Sequence, residues 1–570
     1  MRASLLLQAT MLAAFQHGTT VAAPTANSCR CLPGDACWPP TAKWDRFNST
    51  VGGRLVASEP IGSPCHDPNY DASACEALRA QWFSPLTHIA SSSSIMQTYF
   101  ANQSCDPFTD RSVPCTLGNY VSYAVDVNSH IDIALALKFA KEHKLRVVVR
   151  NTGHDFLGRS TGAGALAIWT HRLKSIDFTQ WSDNYYQGPA VNVGAGVLGY
   201  EILEAANAKG LTVVSGECAT VGLAGGFTQG GGHSALSTQF GLGADQTLAF
   251  HVITADGQSV TATSSKNSDL YWALSGGGGG TYGVVVGLTV RAYEATNVGG
   301  AAFQLLAPTV GQDKFDAAVS KFHDLLPGMV DDGAMVVFYT NSLLLAVSPL
   351  TVWNSTGDYV RDVVLAPFVK ALREEIGIEL PVSYTSLSYR DHYDVHMGPL
   401  PNGDVEVQRY QFGGRLIPRS VVEDNTDEYM TVLRNLTANG VLAVGSAAKY
   451  ARPAGAASNA VHPAWRNALM QLQLITNWDN SAPWEEMEAA QLRMTNEFMP
   501  QIEAVTPGSG SYMNEADFRQ PNWQNVFYGE NYAKLLSIKR KWDPESLFYV
   551  LKGVGSEDWT VAADGRMCRA

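Results

Sequence analysis

Three glycine clusters fall within about sixty residues of each other: Gly225-Gly226, Gly230-Gly231-Gly232 and the run from Gly276 to Gly280. Glycine has no Cβ, so its backbone can take positive φ and bring bare N–H groups against a ligand. One cluster alone reads as a tight turn. Three in one stretch predict a backbone cradle for a large phosphate-bearing cofactor, and that demand narrows the fold more than any other feature of the chain. Two common cradles are disfavoured by pattern. None of the three clusters sets a G-x-G-x-x-G between a strand and a helix with an acid about 20 residues on, and no GxxxxGK[ST] occurs. Neither a nicotinamide enzyme nor a nucleotide hydrolase is therefore expected.

The residues ahead of the glycines read as α/β. Val121, Tyr123, Val125 and Val127 alternate as in a strand. Ser129-x-x-Asp132 resembles a capping box, and Ile131, Leu135 and Phe139 recur at helical spacing. Val147-Val148-Val149 then reads as a buried strand running into Arg150-Asn151-Thr152-Gly153-His154-Asp155. The order repeats: Leu198, Ile202, Leu203 and Ala206 predict a helix stopped by Gly210, and Leu211 to Val214 a strand opening into Ser215 to Gly222. Each unit thus leaves one nucleophile-capable residue, His154 or Cys218, just past a strand end, where α/β sheets tend to bind ligands. From about 298 to 514 the glycine clusters stop. Helix-like stretches such as Phe315 to Leu326 mix with alternating ones such as Leu469 to Thr476, which reads as a separate α+β domain. Tyr532 to Trp542 reads as a helix ended by Asp543-Pro544, its basic side chains on a solvated face.

The cysteines speak to compartment. Seven of nine (Cys29, Cys31, Cys37, Cys65, Cys75, Cys105 and Cys115) lie in the loop-rich stretch 24–115, and Cys568 lies near the end. These eight suit disulfides in an oxidising compartment. Cys65 with Cys75, and Cys105 with Cys115, could each close a small loop, but eight cysteines allow 105 pairings and connectivity stays open. Cys29-x-Cys31 lacks a matching pair at zinc spacing, so no metal is expected. Cys218 stands alone. Met1-Arg2, the apolar Leu5 to Phe15 and Val21-Ala22-Ala23 read as a secretory signal over 1–23. Asn48, Asn102, Asn354 and Asn435 each begin a glycosylation sequon. No later run reaches the ~18 apolar residues of a membrane helix. A net charge of −13 argues against a nucleic-acid partner.

Several segments, in order along nearly the whole mature chain, carry a resemblance. They are Arg150 to Phe156, Cys218-Ala219-Thr220-Val221-Gly222, Gly230-Gly231-Gly232-His233, Leu270-Tyr271-Trp272-Ala273-Leu274 with the following glycine run, Tyr282-Gly283-Val284-Val285 and Tyr528-Gly529-Glu530-Asn531-Tyr532. Together they resemble secreted FAD-linked oxidases of the vanillyl-alcohol-oxidase superfamily, in the berberine-bridge-enzyme-like branch and its fungal isoamyl-alcohol-oxidase-like members. Ala219 stands where many relatives carry Pro, and Thr152 where many carry Gly.

The resemblance implies an α+β fold: a two-subdomain α/β FAD-binding domain (116–297), a substrate domain with an antiparallel sheet and flanking helices (298–514), and a C-terminal segment (515–570) returning to the FAD domain. It implies FAD bound covalently through His154 and Cys218, with Arg150, Asn151, Thr152, Gly153, Asp155, Thr220, Val221, Gly222, Gly226, Val284 and Asn531 around the cofactor. A monomer acting on a small organic substrate, an alcohol first of all, with O2 as electron acceptor is expected; Val221 would gate the oxygen. A natural-product tailoring oxidase, a carbohydrate oxidase and an inactive flavin-binding protein are the alternatives. The base is expected at Tyr512, in the strand motif Tyr512-Met513-Asn514. A phenol titrates near 10, so it would need a nearby cation or donor to serve at neutral pH. Glu515 is the rival base, and Gln471 and Gln473 could face the same pocket.

Overall fold

The computed structural model describes residues 29–570; the signal segment lies outside them. Four sheets and a small terminal hairpin make up an α+β architecture. The first sheet runs in the order Leu55–Ala57, Tyr123–Asp126, Leu166–Trp169, Val147–Arg150. Its last three strands are parallel. The helix His130–Glu142 crosses between two of them, and its capping box is present: the Ser129 hydroxyl accepts from the Asp132 N–H and the Asp132 carboxylate accepts from the Ser129 N–H. Its buried face carries Ile133, Ala136, Leu137 and Ala140, whereas Ile131, expected on that face, is exposed. Ile131, in the first turn after the cap, lies on the solvent side of the helix.

A five-stranded antiparallel sheet follows, in the order Ile176–Ser182, Gln187–Gly194, Val284–Arg291, Thr247–Ile253, Ser259–Thr263. The second helix, Gly199–Asn207, buries Ile202, Leu203 and Ala206, and Gly210 closes its turn at φ +67°. The strand expected over 211–214 is shorter, Leu211–Thr212 paired with Tyr293–Glu294, because the chain leaves the sheet early to begin the loop bearing Cys218.

The seven-stranded sheet is antiparallel and drawn entirely from 297–477, in the order Ser383–Ser388, Asn297–Leu306, Leu344–Trp353, Ala334–Thr340, Leu442–Ala447, Ala468–Asn477, Tyr410–Pro418. Strand periodicity divides its central strands. Val336, Phe338, Ala443, Ala447, Leu472 and Leu474 point into a core shared with the helices Gln312–Asp331 and Thr426–Ala438. The alternate residues Val337, Tyr339, Val444, Ser446, Gln473 and Ile475 face the other way and roof a cavity. This two-faced sheet supplies one wall of the site.

The tail helix Tyr532–Trp542 buries Leu535 and Ile538 in the core of the five-stranded sheet. Its basic face is not wholly solvated. Lys539 is 2% exposed and donates to Asp543 Oδ2 at 2.6 Å, Thr281 O at 2.7 Å and Phe548 O at 2.8 Å. The eight paired sulfurs form Cys29–Cys568, Cys31–Cys37, Cys65–Cys75 and Cys105–Cys115, and Cys218 is free. Cys29–Cys568 ties the two ends of the described chain across 539 residues. No described helix is long and apolar enough to cross a membrane.

Candidate functional site

The loops after the two strand ends meet at a single cavity of about 510 Å³, within the range of small-molecule and cofactor sites. The parallel strand Val147–Arg150 ends in 151–155, and Gly153, at φ +91°, turns that loop inward. Asn151, Thr152, Gly153, His154 and Asp155 line the cavity from this side; Cys218, Val221, Gly222 and Gly226 line it from the other. His154 Nε2 and the Thr220 hydroxyl oxygen lie 2.8 Å apart, and the same oxygen lies 3.5 Å from Cys218 Sγ. Burial, with His88 and Arg150 nearby, drives the His154 imidazole down to about 3, so it is neutral. Burial pushes the Cys218 thiol up, opposed by hydrogen bonds from Thr220 and Val221.

The remaining expected residues lie behind or beside this wall. Arg150 is wholly buried and donates through Nη2 to His88 O at 3.1 Å and Ser91 O at 3.2 Å, which ties the disulfide-rich N-terminal segment to the His154 loop. Thr220 is buried between the two loops. Val284 faces away, into the core with Val125 and Ile168, while its neighbours Gly283 and Val285 line the cavity. Asn531 does not reach the cavity: its amide donates to Ala460 O and Val461 O, and it borders a separate polar hollow with Arg452 and Arg466. A strand with period two puts one of Val284 and Val285 inside, and the sequence alone does not say which.

Two of the three glycine clusters, Gly225-Gly226 and Gly279-Gly280, line the cavity and pack against each other, whereas Gly230 to Gly232 do not line it. A Cβ on Gly279 would sit 3.4 Å from Gly226 Cα, and one on Gly222 would sit 2.7 Å from Asn151 Nδ2. Side chains there would fill the cradle. Gln229, 5% exposed, also lines the cavity with its side-chain oxygen Oε1 unpartnered. Neutral imidazole, thiol, facing glycine backbone and an orphaned amide oxygen are a donor set that fits a flavin dinucleotide.

Opposite these loops stands a charged cluster. His233, from the second glycine motif, lies 3.1 Å from both oxygens of Glu515 through Nε2, and 3.3 Å from Glu217 through Nδ1. Gln473 Nε2 donates to Glu515 at 2.6 Å. Burial alone would lower the His233 pKa, but the Glu515 and Glu217 carboxylates overcome it and raise it well above 6.5. One imidazolium against two carboxylates leaves net negative charge. Among the described residues no cluster has metal-ligand geometry. Tyr512 adjoins this cluster, its ring centroid 5.6 Å from that of His233, and its hydroxyl accepts from Asn514 Nδ2 at 2.8 Å. Burial, then Glu515, push the Tyr512 phenol above its ordinary value. The motif forms a turn closed by the Glu515 N–H to Tyr512 O at 2.9 Å, rather than the expected strand. Gln473 lines the cavity; Gln471 is fully buried and does not. Asp404, His396, Met96 and Gln97 also line it and carried no readable sequence signal.

Comparison with known proteins agrees with this geometry. The family described as FAD binding domain matches residues 121–263, and the one described as berberine and berberine like matches 511–555. FAD-linked oxidoreductase ZEB1 of Gibberella zeae is 51% identical over 552 residues, covering 97% of this chain and 96% of its own. The chain belongs to the berberine-bridge-like family of FAD-linked oxidoreductases. Among solved structures of this family, the VAO-type flavoprotein MtVAO615 from Myceliophthora thermophila C1 superposes with a TM-score of 0.92 at 42% identity, over 95% of this chain and 100% of its own. Glucooligosaccharide oxidase from Acremonium strictum, described as carrying a 6-S-cysteinyl, 8α-N1-histidyl FAD, shares the fold at 20% identity with a TM-score of 0.60, over 76% of this chain and 92% of its own. The protein is an FAD-linked oxidoreductase of oxidase type acting on small molecules.

Proposed function

We propose that this protein is a secreted, glycosylated oxidase that takes a hydride from the carbinol carbon of an alcohol and leaves the carbonyl. The reading is carried by one observation: His154 and Cys218 share a cavity with Tyr512 and Glu515. When bound, the flavin would supply the hydride acceptor for this reaction, with O2 as the final oxidant and H2O2 as the second product. His154 and Cys218 hold it by two covalent bonds, as the glucooligosaccharide oxidase is described to do. Nε2 of His154 is engaged by Thr220, which leaves Nδ1 as the attaching atom. Asn151, Thr152, Gly153, Asp155, Val221, Gly222 and Gly226 line the cavity and would surround the cofactor.

The alcohol proton passes to Glu515. The net-negative cluster of Glu217, His233 and Glu515 can take one proton and become neutral, whereas the buried Tyr512 keeps its own. Tyr512, expected from sequence to be the base, then orients the substrate oxygen through its hydroxyl. Four disulfides and three exposed sequon asparagines (Asn102, Asn354 and Asn435), with Asn48 half-buried, support secretion and glycosylation. A peroxide-coupled screen of alcohols, sugars and polyketide-like phenols tests the activity. Peroxide from alcohols with Glu515→Gln slower than Tyr512→Phe supports the assignment; no flavin reduction by any alcohol overturns it.

A further inference from the structure

We propose that the Thr220 hydroxyl is a positioning residue shared by both flavin attachments: it fixes the His154 tautomer and stabilises the Cys218 thiolate through one directed chain. This rests on the reading that both residues bond to the flavin.

Thr220 is wholly buried and its Oγ1 has two polar side-chain neighbours, His154 Nε2 at 2.8 Å and Cys218 Sγ at 3.5 Å. It brings one proton to two contacts, so the direction matters. Were Thr220 to donate to Nε2, the neutral ring would carry its proton on Nδ1. That nitrogen would have no lone pair to offer, and the sulfur would lose its O–H donor. The reverse order serves both groups. His154 Nε2–H donates to Oγ1, the Thr220 O–H donates to Sγ, Nδ1 keeps a free lone pair, and negative charge on sulfur is stabilised.

Other groups do not take this place. Asp155, the carboxylate next in sequence to His154, is occupied by the Ser160 N–H at 3.1 Å and by the Arg159 N–H. His88 and Arg150 act on His154 only by proximity, and Asp404 disfavours the thiolate. A thiol raised by burial therefore depends on local donors, and Thr220 supplies the one that is a side chain.

Each attachment is a two-electron oxidation that balances with O2 as the oxidant. The N–H or S–H hydrogen of the protein and one C–H hydrogen of the flavin leave with two electrons to O2, giving one H2O2 per bond formed.

The test compares wild type with Thr220→Ala, Thr220→Val and Thr220→Ser after expression with FAD. Acid precipitation separates bound from released flavin, and peptide mass spectrometry scores the His154 and Cys218 bonds separately. Ala and Val should each lose at least ten-fold in both bonds while still retaining flavin that acid releases, and Ser should match wild type. Full attachment at both residues in folded Thr220→Ala, or loss at only one of them, overturns the shared role. Should Ala and Val fail to fold, Thr220→Ser decides: reduced attachment there overturns the proposal, and full attachment supports it. Absence of covalent flavin in wild type would instead refute the attachment reading itself.

Discussion

Replacing His233 with Phe keeps a ring of similar size and removes the only charge between two carboxylates. At contacts near 3 Å and an effective dielectric of about 20, each attraction is worth roughly 5 kcal/mol before desolvation is subtracted. Removing one partner from a buried pair costs about 3–5 kcal/mol. Glu217 and Glu515 keep 19% and 20% of their side-chain surface exposed, so water relieves part of the penalty and the low end, about 3 kcal/mol, applies. The cost has a pH signature. The folded His233 pKa is raised above its unfolded 6.5, so its stabilisation is complete below about pH 6.5 and is lost as pH rises through the higher folded value. The stability gap should therefore be full below about pH 6.5 and narrow as pH rises through the raised folded value. Urea unfolding of both proteins across pH 4–10 measures it. A gap under about 0.5 kcal/mol, or one that does not change with pH, would refute the electrostatic account of the cluster.

Lys539→Met should destabilise by about 3–5 kcal/mol in urea unfolding, because Asp543 is left buried without its cation. Gly226→Val should cut the flavin-to-protein ratio of purified enzyme sharply, since its side chain would enter the cavity that Gly226 lines, beside Asn514. Cys568→Ser should cost about 2–4 kcal/mol and expose the Trp559–Val561 and Met567–Arg569 hairpin to limited proteolysis, as the link to Cys29 is gone. Val221→Leu should slow reoxidation by O2 in stopped flow while leaving reduction by substrate unchanged; equal rates would remove Val221 from the oxygen path.

Local signals carried much of the architecture. The capping box at Ser129, the stop at Gly210 and the Tyr532–Trp542 helix depend on neighbours in sequence, and each is present. His154 and Cys218 were legible because each sits in a distinctive loop after a strand. The charged cluster was not. His233 and Glu515 are 282 residues apart, and Glu217 differs from other surface glutamates only once the sheet of 297–477 closes over it. The face of Val284, the exposure of Ile131 and the burial of Lys539 are likewise decided by tertiary packing, which one-dimensional periodicity leaves ambiguous by one position. The Cys29–Cys568 bond was open for the same reason: eight sulfurs do not rank their partners until the ends of the chain are brought together.

The central claim is that His154 and Cys218 together hold one flavin. Peptide mass spectrometry of the denatured, digested protein tests it most directly. The account predicts yellow protein after acid precipitation and a single flavin adduct that bridges the His154 and Cys218 peptides, reduced to a one-point attachment in His154→Ala or Cys218→Ala. Colourless precipitated protein, with both peptides at their unmodified masses, would contradict it.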